Sequence, residues 1–147
     1  MRIVAQRVHY ADCVVDGKKV GEIQKGLLCF VGIGKNDTHD DVMRCVDKIG
    51  GLRVFEDENG KMSRSCEDVG GSFLLISQFT LYGSVRHGKR PDFMAAASPD
   101  KGKELFDDFV CEMSARHKVE TGIFGADMQI EAHNDGPVTI IFDTESL

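Results

Sequence analysis

The chain has 147 residues, 18 of them Lys or Arg and 24 Asp or Glu, for a formal charge of −6. This length supports one domain with a real core, and the 41% hydrophobic content includes no run approaching a membrane span. The negative balance argues against a broad, non-specific nucleic-acid surface, but it leaves room for a small site gripping one end of an RNA.

In chain order, Ile3 to Val15 reads as a strand, and the Met1-Arg2-Ile3-Val4-Ala5-Gln6-Arg7 start lacks a signal peptide's apolar stretch. Asp16-Gly17 is a two-residue hairpin signal, and Lys18 to Ile23 returns as the partner strand. Leu27 to Ile33 is continuously apolar, as expected of a strand covered on both faces. Thr38 is a good N-cap with Asp40 and Asp41 in the first turn. Val42, Cys45, Val46 and Ile49 follow at helical spacing, and Gly50-Gly51 ends that helix.

Arg53 to Phe55 reads as a short strand, Asn59-Gly60 as a tight turn with the return beginning at Lys61-Met62, and Ser63 to Gly71 as polar loop. Phe73 to Ile76 is a buried strand running on into Ser77-Gln78-Phe79-Thr80-Leu81. From Tyr82 to Ala97 no period holds. Ser98-Pro99-Asp100 starts a second helix, with Leu105, Phe106, Phe109, Val110 and Met113 on one face, fading near His117. Thr121 to Gly125 reads as a loop. Two final strands, around Met128 to Ala132 and Val138 to Phe142, flank Asn134-Asp135-Gly136-Pro137.

The pattern predicts an α+β single domain: an antiparallel, β-barrel-like sheet with two main helices on one side. Long apolar strands in so small a chain also favour a homodimer that covers a face or edge.

The chemistry is first narrowed by what is missing. The histidines at 9, 39, 87, 117 and 133 form no HxH or HExxH pattern, so no metal is expected. No GxGxxG, GxxxxGK[ST] or GxSxG occurs, so no nucleotide cofactor or serine elbow is expected. The five cysteines, at 13, 29, 45, 66 and 111, are odd in number and contain no CxxC; they read as buried reduced thiols of a cytosolic protein.

Three stretches remain. Ser77 to Leu81 ends an apolar strand in two hydroxyls, an amide and an aromatic; on a strand, Ser77, Phe79 and Leu81 point one way and Gln78 and Thr80 the other. Such a strand end either satisfies its own backbone or binds an ester carbonyl and its oxyanion. Arg86-His87-Gly88-Lys89-Arg90 is either a solvated loop or a phosphate-attracting one. Asn134 to Thr139 is either a rigid turn or a rigid backbone wall with carbonyls aimed at a ligand.

Two of these stretches together resemble the D-aminoacyl-tRNA deacylases. Ser77-Gln78-Phe79-Thr80-Leu81 is similar to that family's SQFTL motif, and Asn134-Asp135-Gly136-Pro137-Val138-Thr139 to its NxGPVT motif. Gln6-Arg7-Val8, Arg90-Pro91-Asp92-Phe93, Ala97-Ser98-Pro99 and the run from Thr121 to Met128 extend the match over nearly the whole chain.

The resemblance implies a cytosolic homodimer with a barrel-like fold that hydrolyses D-aminoacyl esters at the 3′ end of tRNA, and mischarged glycyl-tRNA, without metal or cofactor. It implies that Ser77, Gln78, Phe79 and Thr80 line the pocket for the aminoacyl group and terminal adenosine. A cis Gly136-Pro137 element would reach in from the partner subunit and reject L side chains, with Arg7 fixing its orientation and Asn134 supporting it. Phe124 and Met128 would flank the adenine, and Arg86, Lys89 and Arg90 would meet the tRNA backbone. For catalysis, Thr80 has no evident base in the sequence, which favours assistance from the tRNA's own 2′-hydroxyl. A nucleic-acid- or partner-binding module and a general ester or peptide hydrolase using Thr80 or Ser77 remain as alternatives.

Overall fold

The computed structural model describes residues 1–146; Leu147, the last residue of the expected domain, lies outside them. Strands β1 (Arg2–Val15) and β2 (Lys18–Ile23) are joined at Asp16-Gly17, whose φ angles of 50° and 76° are both positive, as the hairpin signal requires. β2 takes the far half of β1, from Ala11 to Val15. The near half pairs antiparallel with β3 (Gly26–Gly32), with Ile3 opposite Val31 and Val8 opposite Gly26.

Helix α1 (His39–Gly50) starts where expected, with the Asp41 carboxylate accepting from the Thr38 N–H at 2.9 Å. Strands β4 (Arg53–Glu56) and β5 (Met62–Ser65) form a separate hairpin, so part of the stretch read as loop after Met62 is strand. β6 (Ser72–Ser77) then pairs parallel with β3, Leu27 opposite Phe73 and Val31 opposite Ser77. Helix α2 (Pro99–Ser114) leads into β7 (Val119–Thr121), which is parallel to β6.

The sheet is therefore mixed, which corrects the antiparallel expectation. The reason is connectivity. Parallel neighbours need a long crossover, and each helix supplies one: α1 lies between β3 and β6, and α2 between β6 and β7. The three-residue β7 leaves too little periodicity to be legible in sequence. The barrel nearly closes where β2 meets β7: a Cβ on Gly21 would lie 2.5 Å from the Thr121 carbonyl oxygen.

β3 is buried along almost its whole length because it has two covered faces. Leu28 joins Val8, Ala11, Cys13, Ile23, Leu74 and Ile76 inside the barrel. Leu27, Cys29 and Val31 pack outward with Ile3, Phe73 and Leu75 against Val42, Cys45, Val46 and Ile49 of α1 and Leu105, Phe106, Phe109 and Met113 of α2. Both helices thus sit on one side.

The two strands expected at the end of the chain form one long strand, β8 (Gln129–Asp143), antiparallel to β1. Its register breaks at the motif. Asn134 faces Val8 and Thr139 faces Gln6, so Asp135 to Val138 bulge out opposite Arg7 alone. No helix among the described residues is long and apolar enough to cross a membrane.

Candidate active site

β6 stops at Ser77 because its partner runs out. Gln78 N–H donates to the Val31 carbonyl at 2.8 Å, and β3 ends one residue later. The chain then curls into a 3₁₀ turn, Phe79–Tyr82, with Leu81 N–H on Gln78 O at 3.3 Å and Gly83 N–H on Thr80 O at 2.9 Å. Gly32 makes the turn possible: a Cβ there would lie 3.0 Å from Leu81 Cβ and 3.1 Å from Gln78 O. The alternating strand faces expected for residues 77–81 are therefore replaced. Ser77 and Gln78 are half-buried, Phe79 and Thr80 are both exposed, and the Gln78 side-chain amide donates to Thr80 Oγ1. The N–H groups of Phe79 and Thr80 precede the first bond that closes the turn.

Ser77, Gln78 and Phe79, facing Phe124 and Gly125, form a ridge between two crevices. One, of about 310 Å³, is walled by Val31, Ile33, Phe93 and the Ala96–Pro99 entry to α2. The other, of about 270 Å³, is walled by Ile76, Ala126, Met128 and Ile130. Phe124 packs against Phe106 with ring centroids 6.1 Å apart, and over Gly102, where a Cβ would lie 3.4 Å from its Cζ. Met128 reaches its place across Gly122, whose missing side chain leaves room for the Met128 Sδ, 2.5 Å from where a Cβ would be. The structure thus brings Ser77, Gln78, Phe79, Phe124 and Met128 together, with Thr80 on the adjoining turn.

Residues 134–138 lie elsewhere in the chain. Asn134, Gly136 and Pro137 are exposed and Asp135 is half-buried; Gly136 has φ +124°, and its bond to Pro137 is cis. Arg7, itself buried, holds the bulge: its Nε donates to Asp135 O at 3.2 Å and lies 3.3 Å from Asp135 Oδ2, and its Nη1 donates to Val54 O at 2.7 Å. His9 Nε2 lies 3.4 Å from the other carboxylate oxygen of Asp135. Arg7 is level with Leu27 and hence with Phe73, at the opposite end of β6 from Ser77. The bulge and Ser77 are therefore offset by roughly 13 Å along the strands and roughly 14 Å across three strand spacings.

Arg86, Lys89 and Arg90 sit on an exposed loop, outside both crevices. Backbone bonds between Ser84 and Asp92, 2.9 Å in each direction, close its base. No carboxylate lies within ion-pair distance of these three cations among the described residues.

The thiols stand apart from this site. Cys13, Cys29, Cys45 and Cys66 are buried, whereas Cys111 is exposed on α2, which corrects the reading of all five as buried. Burial pushes the Cys45 and Cys66 thiols up to about 12, so neither is a thiolate at neutral pH. Among the described residues no three His, Cys, Asp or Glu side chains are placed to hold a metal ion.

Sequence reasoning missed several wall residues: Val31, Ile33, Ala96 and Gly102. They are small or apolar, so no chemistry marks them.

Residues 4–143 match the family model described as D-Tyr-tRNA(Tyr) deacylase. A D-aminoacyl-tRNA deacylase of Thermotoga petrophila is 53% identical, covering 100% of this chain and 99% of the relative. One of Desulfitobacterium hafniense is also 53% identical, covering 99% and 98%. Among solved structures, one described as c-Myc DNA Unwinding Element Binding Protein superposes with TM-score 0.93 at 37% identity, covering 98% of this chain and 99% of that one. Another, described as a probable eukaryotic D-amino acid tRNA deacylase, shares the fold with TM-score 0.84 at 17% identity, covering 96% and 97%.

Proposed function

The chain belongs to the D-Tyr-tRNA(Tyr) deacylase family, and on that premise we propose that it hydrolyses the ester joining a D-amino acid to the 3′ end of tRNA. The observation that carries the reading is the ridge of Ser77, Gln78 and Phe79 between two crevices, formed by the family's own motif. One substrate end with two parts, an aminoacyl group and a terminal adenosine, suits two crevices sharing one wall. Phe124 and Met128 are the groups to flank the adenine. The setting is cytoplasmic, in keeping with four buried free thiols.

The protein's contribution is positioning. A water adds to the ester carbonyl, and backbone N–H groups of the Phe79–Thr80 turn hold the oxyanion. The bond from the carbonyl carbon to the 3′ oxygen breaks, that oxygen leaves with the water's proton, and the neighbouring 2′-hydroxyl assists the transfer. Thr80 Oγ1 accepts from the Gln78 amide and has no base bonded to it among the described residues, which supports the tRNA-assisted route over a threonine nucleophile.

Chirality is read by the Gly136-Pro137 main chain, inserted from a second copy into the site. What supports a second copy is the offset between the motifs within one chain, the exposure of Asn134, Gly136 and Pro137, and the exposed Ile140 and Ile141 of β8, the latter 75% exposed. A main-chain wall clashes with an L side chain and leaves a D side chain unread. Glycine has no Cβ for the wall to meet, so glycyl-tRNA is also a substrate. A duplex-DNA reading, prompted by the name of one solved relative, is less favoured by a charge of −6 with a cluster of free cations gathered on one loop.

The test is deacylation of D- and L-tyrosyl-tRNA side by side. Hydrolysis of the D ester alone is expected. Hydrolysis of both would indicate a general esterase, and of neither a binding module; either outcome overturns the proposal.

A further inference from the structure

The 3₁₀ turn and the loop after it carry exposed apolar side chains. Val85 is 65% exposed, Met94 81%, Phe79 56% and Phe93 37%. An exposed apolar patch in a charged surface marks an interaction site. This one is built rather than frayed. Phe93 meets Phe79 edge-on, ring centroids 5.1 Å apart, and Gly83 gives it room, since a Cβ there would lie 2.9 Å from Phe93 Cε1. Ala96 N–H donates to Phe93 O at 3.0 Å, and Lys35 N–H to Ala95 O at 3.0 Å, so the segment beneath the patch is pinned to the chain just beyond β3. Between Val85 and Met94 the chain presents Arg86, Lys89 and Arg90, exposed and without a carboxylate partner among the described residues.

We propose that Val85, Phe93 and Met94 form a stacking platform for the unpaired nucleotides that precede the terminal adenosine of the substrate, with Arg86, Lys89 and Arg90 holding their phosphates. The proposal rests on the functional reading above and extends it from the ester to the strand that carries it. Two features select this occupant. The platform is continuous with the site, because Phe79 and Phe93 also line the larger crevice. Its chemistry, apolar and aromatic faces beside unpaired cations, is that of single-strand binding: bases stack without sequence readout while cations track the backbone. A protein partner would have to supply carboxylates placed to match the three cations as well as cover the apolar patch.

The experiment compares two substrates that share the ester and differ in the strand: D-tyrosyl-tRNA and the D-tyrosyl ester of free adenosine. The Val85→Ser/Met94→Ala double variant is expected to lose about tenfold in kcat/KM on the tRNA, mostly through KM, in the range of one lost base stack. It is expected to match the parent on the adenosine ester. The Arg86→Gln/Lys89→Gln/Arg90→Gln variant should flatten the salt dependence of the tRNA reaction by about 0.7 log units per log unit of salt for each phosphate no longer held. Equal activity of the double variant and parent on the tRNA, or equal losses on both substrates, would overturn the platform. A parent protein that cleaves neither ester would overturn the functional reading, and the platform with it.

Discussion

Arg2 lies 4.5 Å over the ring of Tyr82, and its Nη1 donates to the carbonyl of Leu81 at 3.2 Å. Its Nε donates to Asp143 at 2.7 Å. One side chain on β1 thus ties the 3₁₀ turn after Ser77 to the end of β8. The turn's other anchor is Tyr82, which is buried and lies over Gly34, where a Cβ would come within 2.8 Å of its ring. Arg2→Ala is expected to cost only about 1 kcal/mol of stability, because the ion pair is partly exposed and the cation–π contact is modest. It should nevertheless slow single-turnover deacylation severalfold, because Phe79 and Thr80 ride on the freed turn. Arg2→Lys keeps the charge but loses the planar stacking and the two-way fork, so it should fall between. Tyr82→Phe keeps the ring and should match the parent in rate. Thermal melts and single-turnover rates on the parent and these three variants check this; an Arg2→Ala rate equal to the parent's would refute the positioning role.

The same contact makes a pH prediction. Burial pushes the Asp143 carboxyl up, but the Glu145 N–H at 2.9 Å and the Arg2 guanidinium together pull it down further, leaving it below the usual carboxylate value. A carboxylate with a depressed folded pKa adds stability that is present above its unfolded value, about 3.9, and is lost as pH falls through the folded one. Urea midpoints should therefore change little from this group between about pH 7 and pH 5 and drop below about pH 4. In Asp143→Asn that drop should be shallower. An identical acid limb in parent and variant would show that the Asp143 carboxyl is not depressed in the folded protein.

Gly136 cannot gain a side chain without moving its neighbours. Its φ of +124° disfavours L residues, and a Cβ would lie 2.9 Å from Val138 Cγ2 and 3.0 Å from Val138 N. Gly136→Ala should cost about 1–3 kcal/mol and abolish deacylation of D-tyrosyl-tRNA by displacing the bulge. Arg7→Ala should act on the same bulge from the other side. It removes the donor to Asp135 O and leaves the Val54 carbonyl unpaired, at about 1–3 kcal/mol for a buried group. Measured D- over L-tyrosyl-tRNA selectivity should fall in Arg7→Ala before the fold is lost. Full selectivity in a folded Arg7→Ala protein would separate Arg7 from the bulge.

Much of the fold was legible because local signals were strong. Asp16-Gly17, the Thr38 cap and the Ser98-Pro99 start each fix backbone angles within a few residues. What was not legible depended on partners distant in sequence. Whether Phe73 to Ser77 runs parallel or antiparallel to β3 is decided by the helix between them, not by the strand's own alternation. Ser77 to Leu81 looked like continuing strand because the end of its ladder, at Val31, is set by another segment. The 134–139 stretch looked like a turn because its unusual residues were visible and the β1 partner on either side was not. The polar residues of the candidate site stand out in the sequence by their types. The apolar walls at Val31, Ile33 and Gly102 needed coordinates.

Thr80 supplies the sharpest distinction between mechanisms. Its hydroxyl is exposed and accepts from the Gln78 amide, and no carboxylate, imidazole or amine is bonded to it among the described residues. A hydroxyl without a base is a weak nucleophile, so a covalent route through Thr80 would have no means of activation. Thr80→Ala removes the hydroxyl and leaves the Phe79–Thr80 backbone N–H groups in place, so it should keep deacylation within about tenfold of the parent, less than the roughly 10² or more typical of losing one oxyanion donor. A substrate whose terminal ribose lacks the 2′-hydroxyl should instead react far more slowly with parent and variant alike. Single-turnover rates for the two proteins on the two substrates form a closed square. A Thr80→Ala protein that binds D-tyrosyl-tRNA normally and fails to cleave it would overturn the tRNA-assisted mechanism and return the chemistry to the threonine.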